Sequence, residues 1–178
     1  MFENQDSITF ETATISLWLA DRHGELAPSV QDIERACIVK WLFWLLNALH
    51  PSMRMSLYLE KHTGVQTALT RALRQSQKTM FLHILDMFKD TLSTEPLFGI
   101  STPPNIIQQY LTVCLRWLAL YPMQEIEWLD MGHWPRLRDL CHFLETRLGV
   151  TQAALAEGLG QIMLRNSPYK IPPQGLTT

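Results

Sequence analysis

Charged residues are scarce in this chain of 178 residues, since Asp, Glu, Lys and Arg together make up only 18% of it. The formal net charge is -2, and the 15 Lys and Arg residues form no cluster along the sequence. Proteins that bind nucleic acids or anionic membranes usually carry such a basic cluster. We therefore expect neither nucleic acid nor membrane among the partners of this protein.

Cysteine is also rare and widely spaced. The three thiols are Cys37, Cys114 and Cys141. This odd, scattered set fits neither a disulfide framework nor a metal site. The longest apolar run, from Ile38 to Leu49, is interrupted by Lys40 and Asn47 and is too short to span a bilayer. The first residues are polar and acidic, unlike a signal peptide. We expect a cytoplasmic protein, three structural cysteines and no metal.

Alternating apolar and polar residues, the pattern of a half-buried strand, are missing, and almost every periodic stretch has helical spacing. The stretch from Ile106 to Tyr121 carries a single charge after its start, Arg116. A helix that is apolar on nearly all sides is typically buried. We predict one all-α domain of about six helices around this buried central helix.

The other helices show clear boundaries. A first helix is predicted from Glu11 to Arg22, with Gly24 as its C-terminal cap. The second helix runs toward Leu49, and Pro51 should bend it. In the third helix, after Gly64, one apolar face is expected to be buried and the opposite face solvated. The apolar face includes Val65, Leu69, Leu73, Met80, Ile84 and Phe88, and the solvated face holds Arg71, Arg74, Gln77 and Lys78.

Several separated motifs resemble the glutathione S-transferases, and they occur in the family's order. The segment Thr9 to Asp21 is similar to the stretch in which Glu-Ser opens the third helix of the family's thioredoxin-like, glutathione-binding domain. The later matches are Leu26-Ala27-Pro28, Glu34-Arg35-Ala36, Leu49-His50-Pro51, Tyr58-Leu59-Glu60-Lys61, Arg116 to Pro122, Trp134 to Leu137, Arg147 to Val150 and Ala156 to Leu159. The resemblance implies a glutathione S-transferase C-terminal-domain-like helical bundle.

The same resemblance suggests a domain organisation. Residues 1–27 correspond to a remnant of the thioredoxin-like domain, namely its last helix and a linker. Residues 28–160 correspond to the helical domain, and residues 161–178 form a proline-containing tail that we expect to be irregular. The family's first strands, its catalytic hydroxyl or thiol and its cis-proline turn would precede Thr9, so we expect most of the N-terminal domain to be missing.

Glu11 and Thr12 match the Glu-Ser pair with which the family holds the γ-glutamyl end of glutathione. A helix N-terminus offers free amide donors for a carboxylate, so a cofactor site is chemically reasonable here. In the alternative interpretation, Glu11 only complements the helix dipole and Thr12 is an ordinary first-turn residue.

Asn47 and His50 are polar residues in an otherwise apolar stretch of the second helix. In the resembling family this helix lines the cleft that faces the thioredoxin-like domain, which makes both residues candidates for substrate binding. Alternatively, Asn47 bonds locally and His50 closes a helix end before Pro51. No residue is assigned a catalytic role.

Thr102 and Asn105 are predicted to cap the central helix. Thr102 can act as N-cap, and Pro103 at the first helical position costs no hydrogen bond. Asn105 stands where the family usually has Asp. It can still bond back to the cap, but it lacks the charge that would stabilise a helix N-terminus by about 0.3–1 kcal/mol.

These observations favour a helical module that is not catalytic alone and that binds a protein partner or a ligand, with glutathione as a possible cofactor. Without its covering domain, one apolar face around Trp41, Trp44 and the first helix should be exposed, which predicts a homo-oligomer or another protein partner. The alternative is a truncated glutathione transferase whose conjugation activity needs the missing domain.

Overall fold

The computed structural model of the protein describes residues 2–3, 8–59, 68–100, 103–120 and 128–160. The prediction of an all-α fold is confirmed for the described residues, apart from one small β ribbon. The α-helices of the described residues are α1 (Thr12–His23), α2 (Arg35–Trp44), α3 (His50–Leu57), α4 (Ala68–Thr94), α5 (Ile106–Leu120), α6 (Pro135–Glu145) and α7 (Leu148–Ala156). The predicted irregular tail, 161–178, lies outside the described residues, and the domain limits stay predictions.

A small β ribbon precedes the first helix and was not predicted. Strands β1 (Phe2–Glu3) and β2 (Ile8–Thr9) pair antiparallel, with Phe2 opposite Thr9 and Glu3 opposite Ile8. Each strand has two residues. Alternation over so short a stretch cannot be recognised in a sequence.

Helix α1 is docked against the bundle. It buries Ala13 and Ala20 and contacts the central helix α5. Its C-terminus closes as predicted at Gly24, whose φ of 68° is the left-handed conformation that glycine adopts without strain. Arg35 at the start of α2 forms an ion pair of 2.8 Å with Asp21 and donates to the Pro28 carbonyl, which joins α1, the linker and α2.

A π-helical segment, Leu45–Leu49, connects α2 to α3. The amide of His50 donates to the Leu45 carbonyl, five residues back, where an α-helix would bond four residues back. Pro51 follows at once. Proline has no N–H, and its ring clashes with the carbonyl four residues earlier. The wider π turn explains how the chain can continue into α3 in spite of this proline. It also places the half-buried His50 at the junction.

The core forms around α5, as predicted. Ile107, Leu111 and Leu115 of this helix are almost fully buried. The surrounding helices bury further large side chains, including Ile38, Leu42, Leu45, Leu49, Phe81, Leu85, Phe88, Leu137 and Leu140. None of the helices in the described ranges is both long and apolar enough to cross a membrane.

The start of α5 differs from the prediction. The helix begins at Ile106, so Asn105 is itself the N-cap, three residues later than expected. Its side-chain oxygen accepts from the amides of Ile107 and Gln108, each at 3.0 Å, and Gln108 Oε1 accepts from the Asn105 amide. This is a reciprocal capping box. Thr102 lies outside the described residues.

The buried face of α4 is the predicted one only in part, since Phe88 is buried as predicted and Met80 and Ile84 are half-buried against the core. Two stripes run side by side along this helix, and the structure buries the one with Phe81, Leu85 and Phe88. Arg74, predicted to be solvated, lies buried on that stripe, whereas Leu69 and Leu73 are exposed. A physical reason for this choice is that the two phenylalanines offer more apolar area than the leucines do.

Apolar side chains are exposed around Trp41, Trp44 and α1, as predicted, but the two tryptophans themselves are not among them. Trp41 and Trp44 are half-buried, because they form an aromatic cluster with Phe88 and Phe98 at ring-centroid distances of 5.3–5.9 Å. The exposed apolar side chains of this region belong to Phe43 and Ile33, and Phe10 and Leu19 are exposed beside and on α1.

Candidate functional site

Glu11 holds the N-cap position of α1 in an unusual backbone conformation. Its φ of 72° and ψ of 121° lie where residues with a side chain are strained. Its carboxylate is exposed and makes no capping hydrogen bond, and the first turn of α1 contains no acidic residue. Strain that local hydrogen bonding does not explain is a reason to look for a function at this residue.

Thr12 follows as the first residue of α1 and is exposed. Its carbonyl accepts from Ser16 Oγ at 2.7 Å, an ordinary bond within the helix. The first intrahelical bond of the α1 N-terminus runs from Ile15 N–H to the Glu11 carbonyl. The amides before Ile15 therefore have no partner within the helix and point out of its N-terminus.

Asn47 lies in the π segment and is exposed. Its side-chain amide donates to the Phe43 carbonyl at 2.9 Å, four residues earlier. This is the local bond of the alternative interpretation. Among the described residues, no hydrogen bond connects Asn47 to Glu11 or His50.

His50 is half-buried and contacts Tyr110 of the central helix. Its Nδ1 lies 2.5 Å from the tyrosine hydroxyl, and the two rings meet edge to face with centroids 5.7 Å apart. Burial lowers the pKa of His50, and the positive charge of Arg54 lowers it further, while the Glu11 carboxylate acts in the opposite direction. The neutral imidazole is therefore favoured at neutral pH.

Tyr110 is the residue of this site that sequence reasoning missed. It is 8% exposed, and burial is the main reason why its pKa is raised, with Cys114 and Glu11 adding to the effect. The only signal in the sequence is a phenol on a helix whose other side chains are mostly apolar. The phenol stays protonated at any ordinary pH and is available as a hydrogen-bond donor.

His50 of α3 and Tyr110 of α5 are in direct contact, and the Glu11 carboxylate at the N-cap of α1 acts electrostatically on the pKa of both groups. A free carboxylate, unpaired helix amides and a neutral imidazole can together hold a zwitterionic amino-acid group. The two candidates Glu11 and His50 are thus linked by an electrostatic interaction across about 40 residues of sequence.

Of the three thiols, Cys114 lies four residues after Tyr110 on α5 and adds to the rise in the pKa of Tyr110. Burial raises the pKa of Cys114 to about 12, so it is protonated at neutral pH. Cys141 is buried and Cys37 is half-buried. No cluster of His, Cys, Asp and Glu side chains in the described parts of the chain could hold a metal ion.

A shallow open groove of about 590 Å³ runs along the exposed side of α4. Its lining residues recur at helical spacing and are Ser76, Thr79, Met80, His83, Ile84 and Met87. Its apolar lining residues are the half-buried Met80 and Ile84 and the exposed Met87.

Comparison with known proteins confirms the predicted relationship. The GST-like protein YncG of Escherichia coli, itself uncharacterized, is 26% identical over 63% of this chain and 53% of its own length. The disulfide-bond oxidoreductase YfcG of the same organism is 28% identical over 85% of this chain and 65% of its own length. No family model matches the chain.

A solved structure shows the same fold. The beta-class glutathione S-transferase of Sphingomonas chungbukensis superposes with a TM-score of 0.66 and 24% identity. The match covers 85% of this chain and 69% of that one. This chain spans about half to two thirds of the length of the curated relatives it matches.

Proposed function

We propose that this relative of GST-like proteins is a helical binding module that holds a glutathione-type ligand at Glu11, Thr12 and His50 and does not catalyse conjugation alone. The observation that carries the proposal is the strained Glu11 at the N-terminus of α1, whose carboxylate acts on the half-buried His50. The similarity to the GST-like protein YncG supports the ligand class.

The residues fit the γ-glutamyl end of glutathione, which carries one ammonium and one carboxylate group. The Glu11 carboxylate, which makes no cap bond, would accept from the ammonium group. The free amides of the first turn and the Thr12 hydroxyl would donate to the carboxylate. Glutathione supplies a thiol for conjugation or for thiol–disulfide exchange. This chain would bind and orient it.

Catalysis by the chain alone is disfavoured by its thiols and hydroxyls. A glutathione thiol must be deprotonated before it attacks, usually with help from a nearby donor or positive charge. In the described parts of the chain, Cys114 is protonated and buried, and the phenol of Tyr110 is protonated as well. YfcG is named a disulfide-bond oxidoreductase. This favours, as the second candidate, a transferase or oxidoreductase whose thiol-activating group lies in a thioredoxin-like domain.

Replacing Glu11 should separate stability from binding. We expect Glu11→Gly to raise the free energy of unfolding by about 1 kcal/mol, since glycine adopts a positive φ without strain. Glu11→Gln keeps the strain and should leave stability unchanged. Both variants lose the carboxylate and should bind glutathione at least about 10-fold more weakly. Calorimetric titration and chemical denaturation measure the two effects.

Glu25→Gln is the matched control, because Glu25 is exposed beyond the opposite end of α1. It should change neither quantity. The absence of binding heat from the unmodified chain at millimolar glutathione would refute the proposed ligand. Turnover of glutathione with an electrophilic aromatic substrate by the chain alone would contradict both the non-catalytic proposal and the alternative of an enzyme that needs a thioredoxin-like domain.

A protein-interaction role rests on a separate observation. Phe43 on α2 is 56% exposed and Ile33 just before α2 is 90% exposed, so both large apolar side chains are available to a partner. We propose that this surface, with Phe10 beside α1, contacts a second copy of the chain.

Phe43→Ser is expected to weaken self-association about fivefold or more, because exposed aromatic anchors carry much of the energy of an interface. Sedimentation equilibrium across a concentration series measures the dissociation constant. Leu148→Ser is the control, since Leu148 is 72% exposed but lies at the start of α7. A chain that stays monomeric at high micromolar concentration contradicts the proposal.

A further inference from the structure

The contact between His50 and Tyr110 bears on which ring nitrogen of neutral His50 carries the proton. A neutral imidazole carries its proton on either Nδ1 or Nε2, and the partner of one nitrogen decides which tautomer forms. Here Nδ1 faces the hydroxyl of Tyr110 at 2.5 Å. The position of the proton at this contact therefore determines what the opposite nitrogen, Nε2, can offer to a ligand.

The surroundings favour donation by the phenol. Tyr110 is 8% exposed, and a buried tyrosine hydroxyl ordinarily donates its proton to a partner. Within the described ranges, His50 Nδ1 is the one hydrogen-bond partner of this hydroxyl. If Nδ1 carried the proton, the hydroxyl would accept it and its own proton would have no acceptor there.

We infer that Tyr110 is a positioning residue that holds neutral His50 in the Nε2–H tautomer, so that His50 presents a hydrogen-bond donor to an anionic acceptor atom of the ligand. The acceptor is a thiolate sulfur or a carboxylate oxygen. The ligand part of this inference rests on the proposed function, whereas the tautomer is a property of the free protein.

The charged groups around the imidazole are consistent with this state. Arg54, one turn along α3, disfavours a second positive charge on His50, and burial acts in the same direction. The Glu11 carboxylate opposes both effects. From α5, Tyr110 and Cys114 face the site in their neutral forms. A neutral ring with one donor nitrogen and one acceptor nitrogen is the expected species.

Nitrogen-15 NMR of the ligand-free full chain tests the inference. At neutral pH, the Nδ1 signal of His50, assigned with a His50→Gln variant, should have the chemical shift of an unprotonated nitrogen, and Nε2 that of a protonated one. The reverse assignment would overturn the inference whatever the ligand is.

Tyr110→Phe then tests the positioning role, because phenylalanine keeps the ring and removes only the hydroxyl. We expect the His50 signals to move toward a mixture of tautomers, and glutathione to bind about 3- to 10-fold more weakly. Tyr58→Phe, eight residues from His50 and so about 12 Å along the helical direction, should change neither signal nor affinity.

The two proposals fail in different ways. If the tautomer is as inferred but glutathione does not bind, the proposed function is wrong and the tautomer assignment stands. If glutathione binds and Tyr110→Phe leaves both the tautomer and the affinity unchanged, the positioning role of Tyr110 is refuted and the binding proposal survives.

Discussion

Asn105→Asp should lower the free energy of unfolding by about 1–3 kcal/mol, although aspartate is normally a good N-cap. The reason is the nitrogen of the asparagine side-chain amide. Its oxygen caps α5, while its nitrogen donates to the Leu97 carbonyl at 2.6 Å. A carboxylate cannot donate, so it would place a negatively charged oxygen against that carbonyl in a site that is 8% exposed.

The helix dipole does not compensate for this loss. A negative charge at a helix N-terminus contributes about 0.3–1 kcal/mol, mostly at exposed positions. A buried acceptor facing another acceptor costs about 1–3 kcal/mol, and more when it is charged. The balance is therefore unfavourable, and it explains why asparagine suits this position.

Urea denaturation of three variants measures the effect. Asn105→Ala loses all the side-chain bonds and should be at least as destabilised as Asn105→Asp. Asn47→Asp is the control, since Asn47 is exposed and bonds only within its own helix. An Asn105→Asp variant as stable as the unmodified chain would show that the bond to Leu97 contributes nothing.

The cap also shows where sequence reasoning stops. The local pattern of Thr102, the prolines and Asn105 predicts a helix start, but two candidate N-caps compete there. Carbonyl groups of the preceding turn influence the choice, because Leu97 accepts from Asn105 and Gly99 accepts from Gln108. Such partners come from tertiary structure, and no local rule of capping includes them.

The candidate site, like the helix cap, could be predicted from the sequence only in part. The sequence motifs placed Glu11 and His50 on two helices of a recognisable family, and the apolar character of α5 was sufficient to predict its burial. The Tyr110 contact spans 60 residues and depends on how α3 meets α5. The positive φ of Glu11 has no signature in residue type, since glutamate rarely adopts it.

Two apolar stripes run along α4, and either of them could have formed its buried face. Both stripes have helical spacing, so periodicity predicts a helix without deciding which side faces inward. The stripe with Phe81 and Phe88 is buried, and Phe88 also contacts Trp41 and Trp44 of α2. The aromatic cluster that closes the core is therefore the feature that turns the tryptophans inward and leaves Phe43 exposed.

Leu111→Ala is expected to have the largest effect on stability, a loss of about 2–5 kcal/mol. Leu111 lies in the middle of α5 and is 0% exposed, so the truncation removes apolar area and leaves a cavity that close-packed neighbours fill only in part. A typical domain has a total stability of about 5–15 kcal/mol, so this one change removes a large share of it. Thermal and urea unfolding followed by circular dichroism measure the loss.

Val113→Ala on the same helix is the matched control. Val113 is 38% exposed, and alanine is the better helix former, so we expect a change below about 0.5 kcal/mol. The comparison also concerns the site, because α5 carries Tyr110 and contacts α1, whose N-terminus holds Glu11. If α5 holds these groups together, partial unfolding of the chain by Leu111→Ala should also weaken glutathione binding. Equal stability of the two variants would mean that α5 is not the centre of the core.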